Sequence, residues 1–531
     1  MAKKFRFFYR LTFALIKKEW KKISLVLLSF SVILIFLVFF SQFVLSAIAN
    51  TTGKVIKPLY VEALVGKPTT FNPLFSKTEA EKEINSLVFR GLIKISPEGL
   101  PVGDLAEKYE IKNDTEYTFY LKKDVRWQDG AKFTADDVVY TIQTGQNSLY
   151  NSEIEDTFRD VSVNKKDDYT VVFQLQEAFS PFLSALTVGI IPRHIKLTDY
   201  RPIGTGDFRF VEIKDGHSIL EGNKARIKFQ YYPTTQTAET AVKLSQVHGL
   251  PNYGSLGNTF KGWSNFQVKI STLAYQEVMA FFNLKDEVLK EKLVRQALSF
   301  ATPKEEILNN SFGKKGTIAF NSLPNLPTFQ NKAVEKYPYN LEKSSTMLNN
   351  AGWILKDDFR YKDNKKLTLT ITTIDNPEFE DSAVKMRNSF RKVGVDAEVI
   401  IVSGSELTTK IVPNRDFSIL LTSQLLDPDP DQYVLWHTTQ TKESNVSGIA
   451  TAKIDKLLED GRKTADQKVR SEKYQEFTRI LLDEEPAIFL YYPRYVWLVS
   501  KRIQNIDLKN FRSSADRFQS IDRWVINKPL L

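Results

Sequence analysis

The sequence contains no cysteine and only four histidines among its 531 residues. The absence of cysteine excludes disulfides, thiolate metal sites, a cysteine nucleophile and a lipid-modified cysteine. The histidines (His194, His217, His248 and His437) do not have metal-ligand spacing. The chain also lacks a phosphate-binding GxxxxGK[ST] loop, a GxSxG elbow and a GxGxxG motif that opens a helix after a strand. We therefore predict no enzyme activity, no metal ion and no cofactor.

The chain also carries little net charge outside its N-terminus. Residues 1–22 contribute +7 to the formal net charge of +10, which leaves +3 for the rest of the chain. A surface so nearly balanced does not favour nucleic acid as a partner. Hydrophobic residues make up 42% and charged residues 26% of the sequence, so most of the chain is expected to be soluble and globular.

The longest hydrophobic run directly follows the basic residues. Residues 23–49 contain no charged side chain and are mostly Leu, Ile, Val and Phe. A helix of that length reaches about 40 Å, which exceeds the hydrocarbon core of about 30 Å. We predict a basic cytoplasmic tail at 1–22, a single membrane-spanning anchor at 23–49 and an extracytoplasmic remainder from about residue 54. A signal peptide cleaved after Ala49 is the alternative, although signal h-regions are shorter.

Helix and strand signals alternate in the exported part. Thr134 and Asp137 have the spacing of a capping box, and Thr302-Pro303 has that of a helix start. A helical pattern at 380–392 lies between strand patterns at 367–371 and 397–402, which predicts a strand-helix-strand unit. These patterns favour a mixed α/β fold.

A series of motifs extends over nearly all of residues 55–500. In chain order they are FNPLF (71–75), LVFRGL (87–92), PVGDLAE (101–107), YTF (117–119), LKKDVRW (121–127), FTADDV (133–138), PIGTG (202–206), VRQAL (294–298), YN (339–340), AGW (351–353), LDPDP (426–430) and LWHT (435–438). Their order and content strongly resemble the family 5 extracellular solute-binding proteins, which are the oligopeptide-, dipeptide- and nickel-binding components of ABC importers.

The resemblance implies an α/β fold in the form of a two-lobed, periplasmic-binding-protein-like clamp of the large peptide-binding type. Lobe 1 is expected at 54–270 plus 504–531, with an inserted subdomain at about 86–180, and lobe 2 at 271–503. The implied function is capture of short peptides between the lobes by a monomer that delivers them to ABC transporter permease subunits. Binding of a nickel chelate, haem or sugar by the same fold, and a membrane-anchored sensor, are the alternatives.

Ten residues are candidate ligand contacts. Leu64, Val65 and Gly66 follow the first predicted strand, at a position that resembles a ligand-contacting edge in relatives. Gly206 belongs to a tight turn where backbone could approach a ligand, although a structural turn is the alternative; Asp207 there replaces the family's usual proline. The other candidates are Asn72, Thr205, Asp427, Asp429, Trp436 and His437.

The LDPDP motif carries the candidate ammonium site. In relatives, an aspartate three residues before the DP aspartate receives the peptide N-terminus, and that position, counted back from Asp429, is Leu426 here. A one-residue deletion would make Asp427 the equivalent, and without one the ammonium site is missing. An aspartate in this loop could bind a peptide ammonium through a charge-assisted hydrogen bond, or both aspartates could cap a helix.

Overall fold

A computed structural model describes residues 57–96, 98–251, 265–312, 317–324, 335–508 and 513–527, with isolated positions 36, 40 and 41. The chain divides into two compact units, Met1–Pro58 and Leu59–Leu531. The predicted tail at 1–22, and all but three positions of the predicted anchor at 23–49, lie outside the described residues. Among the residues that the structure describes, no helix has both the length and the hydropathy that a bilayer crossing requires.

The larger unit combines many strands with helices. The strands up to residue 272 are β1 (Leu59–Val65), β2 (Ile93–Ile95), β3 (Pro101–Gly103), β4 (Ala106–Lys112), β5 (Glu116–Leu121), β6 (Ser162–Asp167), β7 (Thr170–Gln174), β8 (Arg209–Lys214), β9 (His217–Glu221), β10 (Arg226–Tyr232), β11 (Gly249–Pro251) and β12 (Phe266–Thr272). The later strands are β13 (Gln276–Phe282), β14 (Thr317–Ile318), β15 (Ile354–Lys356), β16 (Phe359–Lys362), β17 (Lys365–Lys366), β18 (Thr368–Ile374), β19 (Asp396–Val402), β20 (Ile419–Leu425), β21 (Ala487–Tyr492), β22 (Arg494–Ser500), β23 (Ile503–Gln504) and β24 (Val525–Ile526).

The α-helices, again in chain order, range from single turns to eighteen residues. They are α1 (Glu79–Val88), α2 (Ala135–Gln146), α3 (Glu155–Phe158), α4 (Phe182–Ala185), α5 (Thr235–Lys243), α6 (Lys292–Phe300), α7 (Lys304–Phe312), α8 (Leu341–Asn350), α9 (Pro377–Lys392), α10 (Gly404–Glu406), α11 (Val412–Asn414), α12 (Tyr433–Trp436), α13 (Ala452–Arg462) and α14 (Gln467–Glu484). The mixed α/β class predicted from the sequence is confirmed.

Two large sheets, one of seven strands and one of six, organise this unit. A seven-stranded sheet has the order β12-β22-β11-β1-β10-β9-β8, and a four-stranded sheet, β4-β5-β7-β6, lies in the same stretch of the chain. We call residues 59–272 and 494–526, which carry these two sheets, the first region. A six-stranded sheet has the order β14-β21-β13-β20-β18-β19. We call residues 276–492, which carry it, the second region.

The chain passes between the two large sheets at residues 273–275 and at Pro493. The Leu273 N–H donates to the Pro493 carbonyl at 2.9 Å, so these two crossovers lie side by side. The lobe boundary predicted at 270/271 falls near the first crossover. The boundary predicted at 503/504 follows β22, whereas the hydrogen bonds of β22 are to β11 and β12 of the first region. Backbone pairing therefore moves that boundary to Pro493.

The hydrophobic cores follow the same division. The described residues form five buried hydrophobic clusters, and the buried members of each cluster come from one region alone. In the first region the four-stranded sheet and α2 enclose a core of their own. Each region thus has its own apolar interior, as independent domains do.

Local sequence signals explain where several helices begin. Thr134 and Asp137 form the predicted capping box at the start of α2, and the Thr134 N–H donates to Asp137 Oδ2 at 2.9 Å. Asn376 caps α9, and Pro377 occupies its first turn. Because β18 and β19 pair in parallel on either side of α9 in the chain, the predicted strand-helix-strand unit is confirmed.

Candidate ligand-binding site

The LDPDP motif begins at the junction between the two regions. Leu425 is the last residue of β20 and pairs with Gln276 at the start of β13. The Leu426 N–H donates to the Tyr275 carbonyl, in the first crossover, at 2.7 Å. Asp427 therefore follows directly after a residue that is hydrogen-bonded to the crossover.

The two aspartates of the motif and Asp431, which directly follows it, form a ladder of side-chain turns. Asp427 Oδ1 accepts from the Asp429 N–H at 2.7 Å, and Asp429 Oδ1 accepts from the Asp431 N–H at 3.0 Å. Asp431 Oδ1 accepts from the Tyr433 N–H at 3.2 Å. The intervening prolines have a fixed φ and no N–H, so the alternation Asp-Pro-Asp-Pro-Asp favours this ladder. It fixes the positions of all three carboxylates.

Arginines pair with two of these carboxylates. Arg470 Nη2 lies 2.5 Å from Asp429 Oδ1, and Arg462 Nη2 lies 2.6 Å from Asp431 Oδ2. Both pairs are largely buried, where a carboxylate needs such a partner. Asp427 has no ion-pair partner among the described residues.

The carboxylate of Asp427 is accessible. Its side chain is exposed to solvent, yet desolvation by the surrounding protein raises the pKa of its carboxyl to about 6. An accessible carboxylate that lacks a cation is suited to accept charge-assisted hydrogen bonds from a ligand ammonium.

The predicted edge at Leu64, Val65 and Gly66 is the end of β1. Val65 pairs with Tyr232 of β10, and the Gly66 N–H donates to the Tyr232 carbonyl at 2.9 Å. On the opposite side, β11 meets β1 only at Glu62 among the described residues. Gly66 has a φ of +87°, and apart from Gly66 and its chain neighbours no atom of the described residues lies within 4 Å of the position that a Cβ would take. Open backbone of this kind can pair with an extended chain, although the side chain of Leu64 itself is buried.

Three further candidates occupy tight turns in the first region. Asn72 is 3% exposed, and its Oδ1 accepts from the Leu74 N–H at 3.0 Å. The Gly206 N–H donates to the Val88 carbonyl at 2.8 Å, and a Cβ on Gly206 would lie 2.6 Å from the Leu87 carbonyl oxygen. Close packing against the end of α1 thus explains the glycine. The Thr205 hydroxyl is buried and has no hydrogen-bond partner among the described residues.

The side chains of the remaining candidates are buried and contact other residues of the second region. Asp429 is held by Arg470. Trp436 is 0% exposed and packs against Phe281 and Phe489. His437 is 4% exposed and stacks on Tyr433, with ring centroids 3.9 Å apart. In this conformation the structure leaves Asp427 accessible and gives these three side chains protein partners.

The sequence analysis missed Arg462 and Arg470, although both determine the character of the site. They lie 31 and 41 positions after the aspartates that they bind. Each is on or beside an amphipathic helix, where an arginine is an ordinary surface residue. No spacing rule connects them with the LDPDP motif.

Comparison with known proteins identifies the family. The model of bacterial extracellular solute-binding proteins, family 5 Middle, matches residues 101–445. The oligopeptide-binding protein AppA of Bacillus subtilis (strain 168) is 30% identical over 548 residues, which cover 96% of this chain and 100% of the relative. The solved structure of Bacillus subtilis AppA with a nonapeptide is 28% identical, with a TM-score of 0.66 over 90% of this chain and 100% of that one.

A second solved structure, NikZ from Campylobacter jejuni with Ni(L-His), is 25% identical, with a TM-score of 0.69 over 89% of this chain and 100% of that one. The family that the sequence motifs predicted is confirmed. The chain belongs to the bacterial extracellular solute-binding proteins of family 5 and has their mixed α/β, periplasmic-binding-protein-like fold.

Proposed function

We propose that this chain is the substrate-binding protein of an ABC importer and captures short peptides through Asp427. Its family consists of binding proteins, so the chain is a binding protein and not an enzyme. The relative AppA is named an oligopeptide-binding protein, and its solved structure contains a nonapeptide. These relatives support a peptide ligand.

The observation that carries the proposal is the unpaired carboxylate of Asp427. Asp429 and Asp431 have arginines, while Asp427 is accessible and has no ion-pair partner among the described residues. A peptide supplies the missing cation as its α-ammonium. The end of β1 offers backbone groups with which an extended peptide can pair, so recognition depends little on side-chain sequence.

The connection between the two regions supports capture by closure. Two adjacent crossovers join regions that have separate hydrophobic cores, as in proteins that close like a clamp on a ligand. We place the peptide between the regions and expect the monomer to deliver it to the permease subunits. Residues 23–49 would hold the protein in the cell membrane as a single-pass anchor, with residues 1–22 in the cytoplasm and the binding regions outside.

Calorimetry with a nonapeptide and its N-acetylated form tests the role of Asp427. Acetylation removes the ammonium and leaves the remaining peptide unchanged. We expect the acetylated peptide to bind about 30-fold more weakly, and Asp427→Asn to weaken binding of the free peptide by a similar factor. The two losses should not add, because each change removes the same interaction. Glu443→Gln, which neutralises an exposed carboxylate, is the control.

A nickel chelate is the alternative that a relative supports, because NikZ was solved with Ni(L-His). The same titration with Ni(L-His) separates the two ligands. Binding of Ni(L-His) without binding of the nonapeptide would overturn the peptide proposal. Equal affinity for free and acetylated nonapeptide would keep the peptide as ligand and remove Asp427 as the ammonium site.

A further inference from the structure

The two regions also contact each other at a place remote in sequence from the crossovers. The Ser180 N–H donates to the Arg462 carbonyl at 2.7 Å. The Ala465 N–H donates to Asp114 Oδ1 at 2.8 Å, across 351 positions of sequence. Asp114 and Ser180 belong to the part of the first region that carries the four-stranded sheet, while Arg462 and Ala465 border the turn between α13 and α14. With Phe179, we call these residues the latch.

The guanidinium of Arg462 is the centre of the latch. Its Cζ lies 3.9 Å from the ring centroid of Tyr433 in the second region and 5.1 Å from that of Phe179 in the first. Its Nη2 also donates to Asp431 at 2.6 Å. Cation–π contacts of this length are favourable, most of all where water is partly excluded. One side chain thus interacts with both regions.

The latch is built so that it can open. Arg462 is the last residue of α13, and the final carbonyls of a helix have no partner within it. Ser180 supplies a partner from the other region, and water can replace it when the regions separate. The described residues form no buried hydrophobic cluster with members from both regions, so opening exposes no shared apolar core. Contacts of this polar kind are typical of domains that move relative to each other.

Hydrogen bonds connect the latch to the carboxylate of Asp427. Arg470 donates through Nη2 to Asp429 and through Nε to the carbonyl of Gly461, the residue before Arg462. The aspartate ladder joins Asp429 to Asp427 on one side and to Asp431 on the other. Asp431 in turn holds Arg462. Asp427 and Arg462, the latch residue of the second region, therefore belong to one hydrogen-bonded network.

We propose that Arg462 is a positioning residue that holds the two regions closed and so sets the rate at which a captured solute leaves. It does so by docking the four-stranded part of the first region onto the α13–α14 turn. The contact itself does not depend on the nature of the ligand. Only the release measurement described below depends on the proposed peptide function.

Distance measurements on the ligand-free protein test the latch directly. Because the chain has no cysteine, spin labels can be placed only where cysteines are introduced, at the exposed positions Lys166→Cys and Lys468→Cys. Double electron–electron resonance on the full chain then reports the populations of short and long distances between the regions. We expect Arg462→Ala to lower the ratio of short to long distances about tenfold.

Asp114 offers a matched pair of variants. Its φ is +56°, which both glycine and asparagine tolerate. Asp114→Gly removes the acceptor for the Ala465 N–H and should lower the ratio about threefold, whereas Asp114→Asn keeps an acceptor oxygen and should leave the ratio unchanged. If Arg462→Ala fails to fold, as judged by circular dichroism, this pair decides the question.

Release of a fluorescent nonapeptide, followed by stopped flow, completes the test. We expect dissociation to be about tenfold faster in Arg462→Ala than in the wild-type chain. Unchanged distance distributions in both Arg462→Ala and Asp114→Gly would overturn the latch. If the wild-type chain does not bind the nonapeptide, the proposed function fails while the distance distributions still decide the latch.

Discussion

In the first region, Arg517 lies between two buried glutamates, with its Nε 2.7 Å from Glu62 Oε1 and its Nη2 in contact with Glu83. Its side chain is 0% exposed. In the second region, two arginines pair with two of three aspartates, and Asp427 is left without a cation among the described residues. The first cluster joins β1 and α1 to the C-terminal segment, whereas the second ends in an accessible carboxylate.

The difference indicates how to separate structural carboxylates from ligand-binding ones. A carboxylate inside a protein needs a cation or several hydrogen-bond donors, because burial otherwise costs several kcal/mol. Where the chain supplies the partner and excludes water, as at Glu62 and Glu83, the group serves the fold. Where the chain leaves a carboxylate accessible and supplies no cation, as at Asp427, we propose that the ligand supplies the partner.

The largest effect is expected at Arg517. Arg517→Ala leaves Glu62 and Glu83 buried without a cation, and we expect it to lower the free energy of unfolding by about 4 kcal/mol in urea titrations. Because burial raises the pKa of Glu62 to about 7, the loss should be smaller at pH 5, where Glu62 holds a proton. Arg523→Ala, at an exposed arginine of the same segment, is the control. A loss below about 1 kcal/mol would contradict a structural role for the cluster.

A smaller effect is expected at Glu81, whose carboxylate is matched by neutral donors. It accepts from the N–H groups of Thr69, Lys77 and Thr78 at 2.7–3.0 Å. Although burial opposes the shift, these hydrogen bonds and that of the Thr69 hydroxyl lower the pKa of Glu81 to about 2. Glu81→Gln should cost about 2 kcal/mol, because an amide presents N–H groups to donors.

The pH dependence of this loss follows from the depressed pKa. The stabilisation by Glu81 is fully present above its ordinary pKa of about 4.5 and is lost as the pH falls toward 2. Urea titrations between pH 7 and pH 3 measure it. Glu79→Gln, at an exposed glutamate of the same helix turn, should show neither the loss nor the pH dependence.

The smallest effect concerns ligand binding at Asp427. Desolvation raises the pKa of this carboxyl to about 6. A ligand ammonium prefers the ionised form, so nonapeptide affinity should fall about tenfold between pH 7 and pH 5, a change of about 1.4 kcal/mol. Asp427→Asn should bind weakly and equally at both pH values. An affinity of the wild-type chain that is the same at pH 5 and pH 7 would show that Asp427 does not receive the ammonium.

The free energy of unfolding should change with pH in the direction opposite to the ligand affinity. Since its pKa in the folded, ligand-free protein lies above the ordinary value of 3.8, ionisation costs stability as the pH rises from about 4 through 6. Asp427→Asn should therefore stabilise the ligand-free protein slightly at pH 7. This contrast with Arg517→Ala separates a group kept for a ligand from a group kept for the fold.

Sequence patterns predicted what depends on near neighbours in the chain. The capping box of Thr134 and Asp137 and the strand-helix-strand unit around α9 arise from residues within a few turns of one another. The pairing of Arg517 with Glu62 spans 455 positions, and that of Arg462 with Asp431 depends on how a helix packs. Charged side chains that meet through tertiary packing leave no periodic signal, and therefore neither pair could be predicted.

The same limit applies to the lobe boundary and to the candidate site. A strand such as β22 has the same hydrophobic pattern whichever sheet it joins, so its partners β11 and β12 could not be inferred from its composition. The motifs indicated the LDPDP loop as part of the site. Only the placement of Arg462 and Arg470 distinguishes Asp427 from Asp429 and Asp431.

The return of the chain at Pro493 has a consequence for the order of folding. The second region is continuous in sequence, from 276 to 492, and has its own core, so it can fold as soon as those residues are available. The seven-stranded sheet cannot be completed until β22 arrives, and Arg517 must follow before Glu62 and Glu83 are neutralised. We therefore expect the first region, whose synthesis begins earlier, to reach its native structure last.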